Sequence, residues 1–117
     1  MPVIRIDEQE RERYPLWSEI NHYGINRLTV GQVVPLHYHD CNEYWVIVSG
    51  RGLCTTEGDS YEIGPGDLVL TRQGDEHSLV VTEEMTALYM YGKIPPGGSI
   101  GYRYRESQET GEGGDGA

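Results

Sequence analysis

Three of the four histidines of this 117-residue chain fall in two tight groups, one of them beside a glutamate. The first group runs Gly31-Gln-Val-Val-Pro-Leu-His37-Tyr-His39-Asp-Cys-Asn-Glu43. Successive side chains of a strand point to opposite faces, so His37 and His39 project to one side and Tyr38 to the other. Two imidazoles so placed can grip one metal ion. Glu43 then opens an apolar run, Tyr44-Trp45-Val46-Ile47-Val48. A carboxylate at the head of a buried run is costly unless something pairs with it, and a metal cation would supply that partner. The second group is Gly66-Asp67-Leu-Val-Leu-Thr-Arg72-Gln-Gly74-Asp-Glu76-His77, a strand, a glycine turn and a histidine entering another strand.

The elements that must position these groups read as strands. Sixteen glycines and six prolines punctuate short runs rich in Val, Ile, Leu, Thr and Tyr. Strands are predicted over 25–34, 36–39, 43–49, 52–57, 60–63, 68–71, 77–82 and 86–92, with a hairpin at Gly58-Asp59. Such spacing predicts an all-β sandwich or barrel. The one helix candidate, Asp7–Tyr14, has almost no apolar face and stops at Pro15. A helix so short is marginal without tertiary support. Residues 107–117 (SQETGEGGDGA) lack any large apolar side chain and are predicted to be a disordered tail. The organisation expected is one domain: an N-terminal segment over 1–24 packing on a barrel over 25–106, then the tail.

Charge narrows the partners. Nine basic residues face 19 acidic ones, a net charge of −10, whereas phosphate binding needs a cationic face. Nucleic acid and anionic membrane surfaces are therefore not expected partners. No apolar run approaches the roughly 20 residues of a membrane helix. With no signal segment evident, a cytoplasmic location is the expectation. Two cysteines, Cys41 and Cys54, are too few to staple a small fold and read as reduced, buried thiols.

His-x-His-x3-Glu, with Gly31 six residues before His37 and Gly50 seven after Glu43, resembles the first motif of the cupin family. Gly66-Asp67 followed by Gly74-x2-His77 resembles the second, and the spacer between Gly50 and Gly66 is that of small microbial cupins. Two positions depart from the pattern: Arg72 stands for a usual proline and Val81 for a usual asparagine. The resemblance implies a double-stranded β-helix (jelly-roll) barrel in which His37, His39, Glu43 and His77 bind one divalent transition metal. Fe, Mn, Ni, Co, Cu and Zn all suit that donor set. It also implies a homodimer, with Val3–Ile6 as the segment exchanged between copies.

Around that centre, Trp45 shares the inward face of Glu43 and reads as core filler or pocket wall. Tyr89 and Tyr91 share one face of the last strand, Leu88 and Met90 the other. Either tyrosine facing inward would offer a phenol for proton transfer. Arg72 is a candidate clamp for a substrate carboxylate, and His22 and Glu76 are candidate bases. Three functions fit: a Lewis-acid isomerase, epimerase or lyase acting on a sugar-like or hydroxy-carbonyl small molecule, a metal-dependent dioxygenase, or a metabolite-binding module without turnover.

Overall fold

A computed structural model describes residues 2–98 and 101–105. The chain is all-β among these residues, apart from a single 3-10 turn at Arg11–Arg13. Six strands follow in order: β1 (Ile20–Leu28), β2 (Val33–His37), β3 (Glu43–Thr56), β4 (Asp59–Ile63), β5 (Leu68–Thr71) and β6 (His77–Gly92). All pairings are antiparallel, and β6 is the hub, bonded to β1, β2 and β3.

The two long strands build the barrel by bending together. The first half of β3 and the second half of β6 pair with each other and carry β5 and β1 on their outer edges. The second half of β3 and the first half of β6 carry β4 and β2. Between the halves the β3–β6 register slips at Ile47/Ser49, Ser49/Arg51 and Arg51/Gly52, a bulged corner. Bulges bend and twist a strand locally, so the two half-sheets face each other. Their inner faces meet in one core, with Trp45, Ile47, Val69 and Ala87 from one half against Cys54, Ile63, Leu79 and Val81 from the other.

Gly50 makes the corner fit. Its φ is 89°, and a Cβ there would lie 2.1 Å from the Glu84 carbonyl oxygen. Gly50→Ala therefore meets a backbone clash and an unfavourable φ at once. The expected cost is about 3 kcal/mol, in the range of strained-backbone substitutions, or about 10 °C in Tm at this chain length. Thermal melting checks it, and an unchanged Tm would mean the corner tolerates a side chain.

The structure corrects the sequence-based boundaries at this corner. Breaks were expected after Ser49 and between Thr82 and Thr86, yet β3 and β6 run through as bulged strands. A glycine within an apolar run marks a bulge here, where it was read as a stop. β1 starts at Ile20, so the 24/25 boundary falls inside a strand, and it ends before a turn closed by Gln32 N–H donating to the Thr29 carbonyl. The hairpin turn is Glu57-Gly58, one residue earlier than expected. Both residues have positive φ, 50° and 88°, as a type I′ turn requires.

The 7–14 helix is reduced to the 3-10 turn. Val3–Ile6 lies outside any strand, with the Ile4 carbonyl accepting a 2.8 Å hydrogen bond from Tyr23 Oη of the same chain. The predicted tail over 107–117 lies outside the described residues.

Strand alternation decides what reaches the interior. One inward row runs His22–Tyr91–Glu43–Thr71 across β1, β6, β3 and β5, and the next runs Gly24–Tyr89–Trp45–Val69. Tyr89 and Tyr91, not Leu88 and Met90, therefore face the interior. From the other half-sheet, the end of β2 and the start of β6 pair His37 with His77. The metal-site candidates thus meet at one end of the barrel.

Candidate metal centre

His37, His39, His77 and Glu43 are all buried, at 1%, 3%, 1% and 6% exposure. One ligand atom from each of the three histidines lies within 4.8 Å of the other two, an arrangement that could hold a metal ion. The ring orientation explains why. His37 Nδ1 lies 2.6 Å from the Pro35 carbonyl oxygen and His77 Nδ1 3.2 Å from that of Asp75, in each case the residue two before. His39 Nδ1 lies 3.3 Å from the Gly101 carbonyl oxygen. A carbonyl can only accept, so each Nδ1 carries the proton and each Nε2 keeps its lone pair. This is how metal-binding imidazoles are oriented by their outer partners.

The lone pairs converge. His37 Nε2 and His39 Nε2 are 3.2 Å apart. Glu43 Oε1 lies 3.1 Å from His39 Nε2 and 3.3 Å from His77 Nε2. Among the described residues neither Glu43 Oε1 nor His77 Nε2 makes a hydrogen bond of good geometry, although both are buried. A dry cluster of acceptors facing one another is repulsive unless a cation sits among them. The donor set, three imidazoles and one carboxylate, fits a divalent transition metal.

Local electrostatics agree. Burial, reinforced by the neighbouring His77, pushes the His37 imidazole down to about 4, so that ring is neutral near pH 7. Burial raises the Glu43 carboxyl, but the His39 and His77 rings beside it outweigh burial and hold it at about 2, so without a metal cation any shared proton sits on a ring Nε2 and not on the carboxylate. Glu43 is therefore an anion. Cys41 and Cys54 are free and buried, as expected, and burial pushes both thiols up to about 11, away from the thiolate that a metal would need.

His37, His39 and Glu43 of the cluster lie in the wall of a cavity of about 290 Å³. Trp45, Leu79, Met85, Ala87, Tyr89 and Tyr91 also line it, with Asn26, Gln32 and Tyr102. Trp45 is core and pocket wall at once: it belongs to the buried core and its ring stands 5.7 Å from that of His77. Burial first, then the Glu43 charge, raises Tyr89, Tyr91 and Tyr102, so all three phenols stay protonated near neutrality.

Three sequence candidates stand outside the lining. The Arg72 side chain is 81% exposed and 3.5 Å from Asp75, in a turn outside the cavity lining. Glu76 sits in the same turn, its carboxylate 3.6 Å from Arg105 Nε. His22 stacks behind Tyr91, ring centroids 5.5 Å apart, one layer away from the cavity.

Sequence reasoning missed Asn26, Gln32 and Tyr102. Tyr102 had a signal: Tyr102-Arg103-Tyr104-Arg105 alternates with the period of a strand.

Fold and site define a β-barrel with a buried cluster that could hold a metal ion, and residues 24–92, more than half of the chain, match the cupin domain, so the chain belongs to the cupin family. The uncharacterized protein y4oW of Sinorhizobium fredii is 46% identical over 43 residues, 37% of this chain and 20% of that protein. The chain spans a fifth or less of the length of the curated relatives it matches. A cupin protein from Bacteroides fragilis superposes with a TM-score of 0.56 at 27% identity, over 63% of this chain and 66% of that one. The DMSP lyase DddQ from Ruegeria pomeroyi gives 0.60 at 24% identity, over 65% and 40%.

Proposed function

We propose that this cupin binds one divalent transition metal through His37, His39, His77 and Glu43 and acts by Lewis-acid chemistry on a small hydroxy-carbonyl or sugar-like molecule, as an isomerase, epimerase or lyase. The observation that carries the reading is the convergence of three imidazole nitrogens and a buried carboxylate oxygen beside a cavity of about 290 Å³ that His37, His39 and Glu43 line. That volume is at the small end of ligand pockets, which run from roughly 300 Å³ upward.

A bound metal would supply charge to polarise a carbonyl oxygen. The chain supplies the rest. No lysine or arginine lines the cavity, so nothing there clamps a substrate carboxylate. The amides of Asn26 and Gln32 can hold hydroxyl groups, and Trp45, Met85 and Leu79 exclude water. Tyr89, Tyr91 and Tyr102 are positioned as O–H donors to an oxygen that gains negative charge, and His22 is too far back to serve as base. Proton movement therefore falls to the phenols.

That shortage of a base favours one second reading, a dioxygenase, in which substrate and O₂ share the metal and no strong base is needed.

Elemental analysis of protein purified without chelator comes first, followed by incubation of the loaded protein with small hydroxyketones, diketones and sugars under argon and under air. About one metal per chain with turnover under argon supports the Lewis-acid reading. Turnover only under air, with O₂ consumed one-to-one with substrate, replaces it by the dioxygenase. Absence of metal after reconstitution would sink both.

A further inference from the structure

We infer that Gly101–Arg105 is a working wall of this centre: it orients His39, caps His37, and sets how readily the site opens. The inference rests on the metal reading above, but it is drawn from contacts which that reading does not use.

The strap is anchored by one rung of sheet. Tyr38 and Arg103 exchange both backbone hydrogen bonds, each 2.8 Å, extending the end of β2. In extended chain neighbours point to opposite sides, so with Arg103 outward, Tyr102 turns inward. Its ring stacks on His37, with centroids 3.9 Å apart and planes within 10°. The preceding carbonyl, that of Gly101, faces His39 Nδ1. One short segment thus fixes the tautomer of one histidine and covers the ring of another.

The outward side chains clip the strap to both ligand-bearing loops. Arg103 Nε lies 2.7 Å from Asp40 Oδ2, next to His39. The Arg105 guanidinium lies over the Tyr38 ring at 4.1 Å, donates to the Gly74 carbonyl and approaches Glu76, in the loop that delivers His77. Arg103 and Arg105 are exposed, and solvent-screened ion pairs hold weakly. The strap is therefore placed to lift without unfolding the barrel, whose last strand ends at Gly92.

Three chains test this: the full chain, one ending at Arg105 and one ending at Gly98. Each is loaded with Mn, Co or Zn for metal release to excess chelator. Each is also treated metal-free with diethyl pyrocarbonate, and His37 and His39 modification is followed by peptide mass spectrometry.

The chain ending at Arg105 is expected to match the full chain. The chain ending at Gly98 should release metal about 10–100-fold faster, the usual effect of losing a ligand's outer partner, and its His37 should react at least tenfold faster. In the full chain, Tyr102→Phe should keep the protection of His37 and Tyr102→Ala should lose it. Equal rates in the two shortened chains would overturn the inference.

Should the chain ending at Gly98 fail to melt cooperatively, Arg103→Ala in the full chain takes its place, with the same direction expected and no change overturning the idea. If the full chain holds no metal, the metal reading falls, and histidine modification alone decides the strap.

Discussion

Protein carrying His77→Ala is expected to retain no stoichiometric metal and to lose the rise in Tm that divalent ions give the parent. Among the described residues His77 Nε2 faces Glu43 Oε1 but makes no hydrogen bond, so the alanine variant forfeits a metal donor while breaking no hydrogen bond at that atom. Loss of an outer partner of a ligand already costs about 10–100-fold in affinity, and loss of the ligand itself costs more.

A metal that binds only the folded chain stabilises it by mass action. At a hundred times Kd the stabilisation is about 2.7 kcal/mol, which for a chain of this length is about 10 °C. Calorimetry of parent and variant, with and without metal, reads this directly. His22→Ala is the control, since His22 lies behind Tyr91 and should leave metal content unchanged. A His77→Ala protein that still gains the full shift would remove His77 from the centre.

Glu43→Gln is expected to separate metal affinity from stability. The amide keeps the size of the side chain and removes the buried negative charge. A divalent ion among three neutral imidazoles then loses its only anionic ligand, and affinity should fall by more than about a hundredfold.

The metal-free protein should lose some stability too, because the His39 and His77 rings favour the buried anion. A buried carboxylate is costly to desolvate, so this loss should be smaller than the loss of metal affinity. Titration of each protein with metal, alongside denaturant melts of the metal-free forms, makes the comparison. Unchanged metal affinity would show that Glu43 is not a ligand. A large loss of metal-free stability would show that the carboxylate serves the fold as well.

Much of this centre was legible in the sequence because its information is local. His37, His39 and Glu43 lie within seven residues, and alternation along one strand already puts the histidines on the same face. His77 follows a glycine turn whose spacing the cupin motif shares.

What was not legible came from long-range register. Tyr102 reaches His37 only because Arg103 pairs with Tyr38, and nothing near position 102 names that partner. Asn26 enters the cavity only through the register of β1 on β6. Arg72 misled for a related reason. A cation beside a metal motif suggests substrate binding, but the turn that replaces the usual proline directs Arg72 outward to Asp75. Gly50 misled because a bulge and a stop share one residue type.

The place of β6 at the centre of the pairing also has a consequence for synthesis. Among the described residues, β1 and β2 bond to β6 and to no other strand. β3 can meanwhile form hairpin contacts with β4 and β5. The ribosome must therefore make about sixty residues after β1 before β1 has anywhere to dock, several seconds at roughly 5–20 residues per second. Over that interval the first two strands wait as open edges, and the histidines of the first motif cannot meet His77. The barrel closes only once β6 has been made, so the four candidate ligands come together after β6 has emerged.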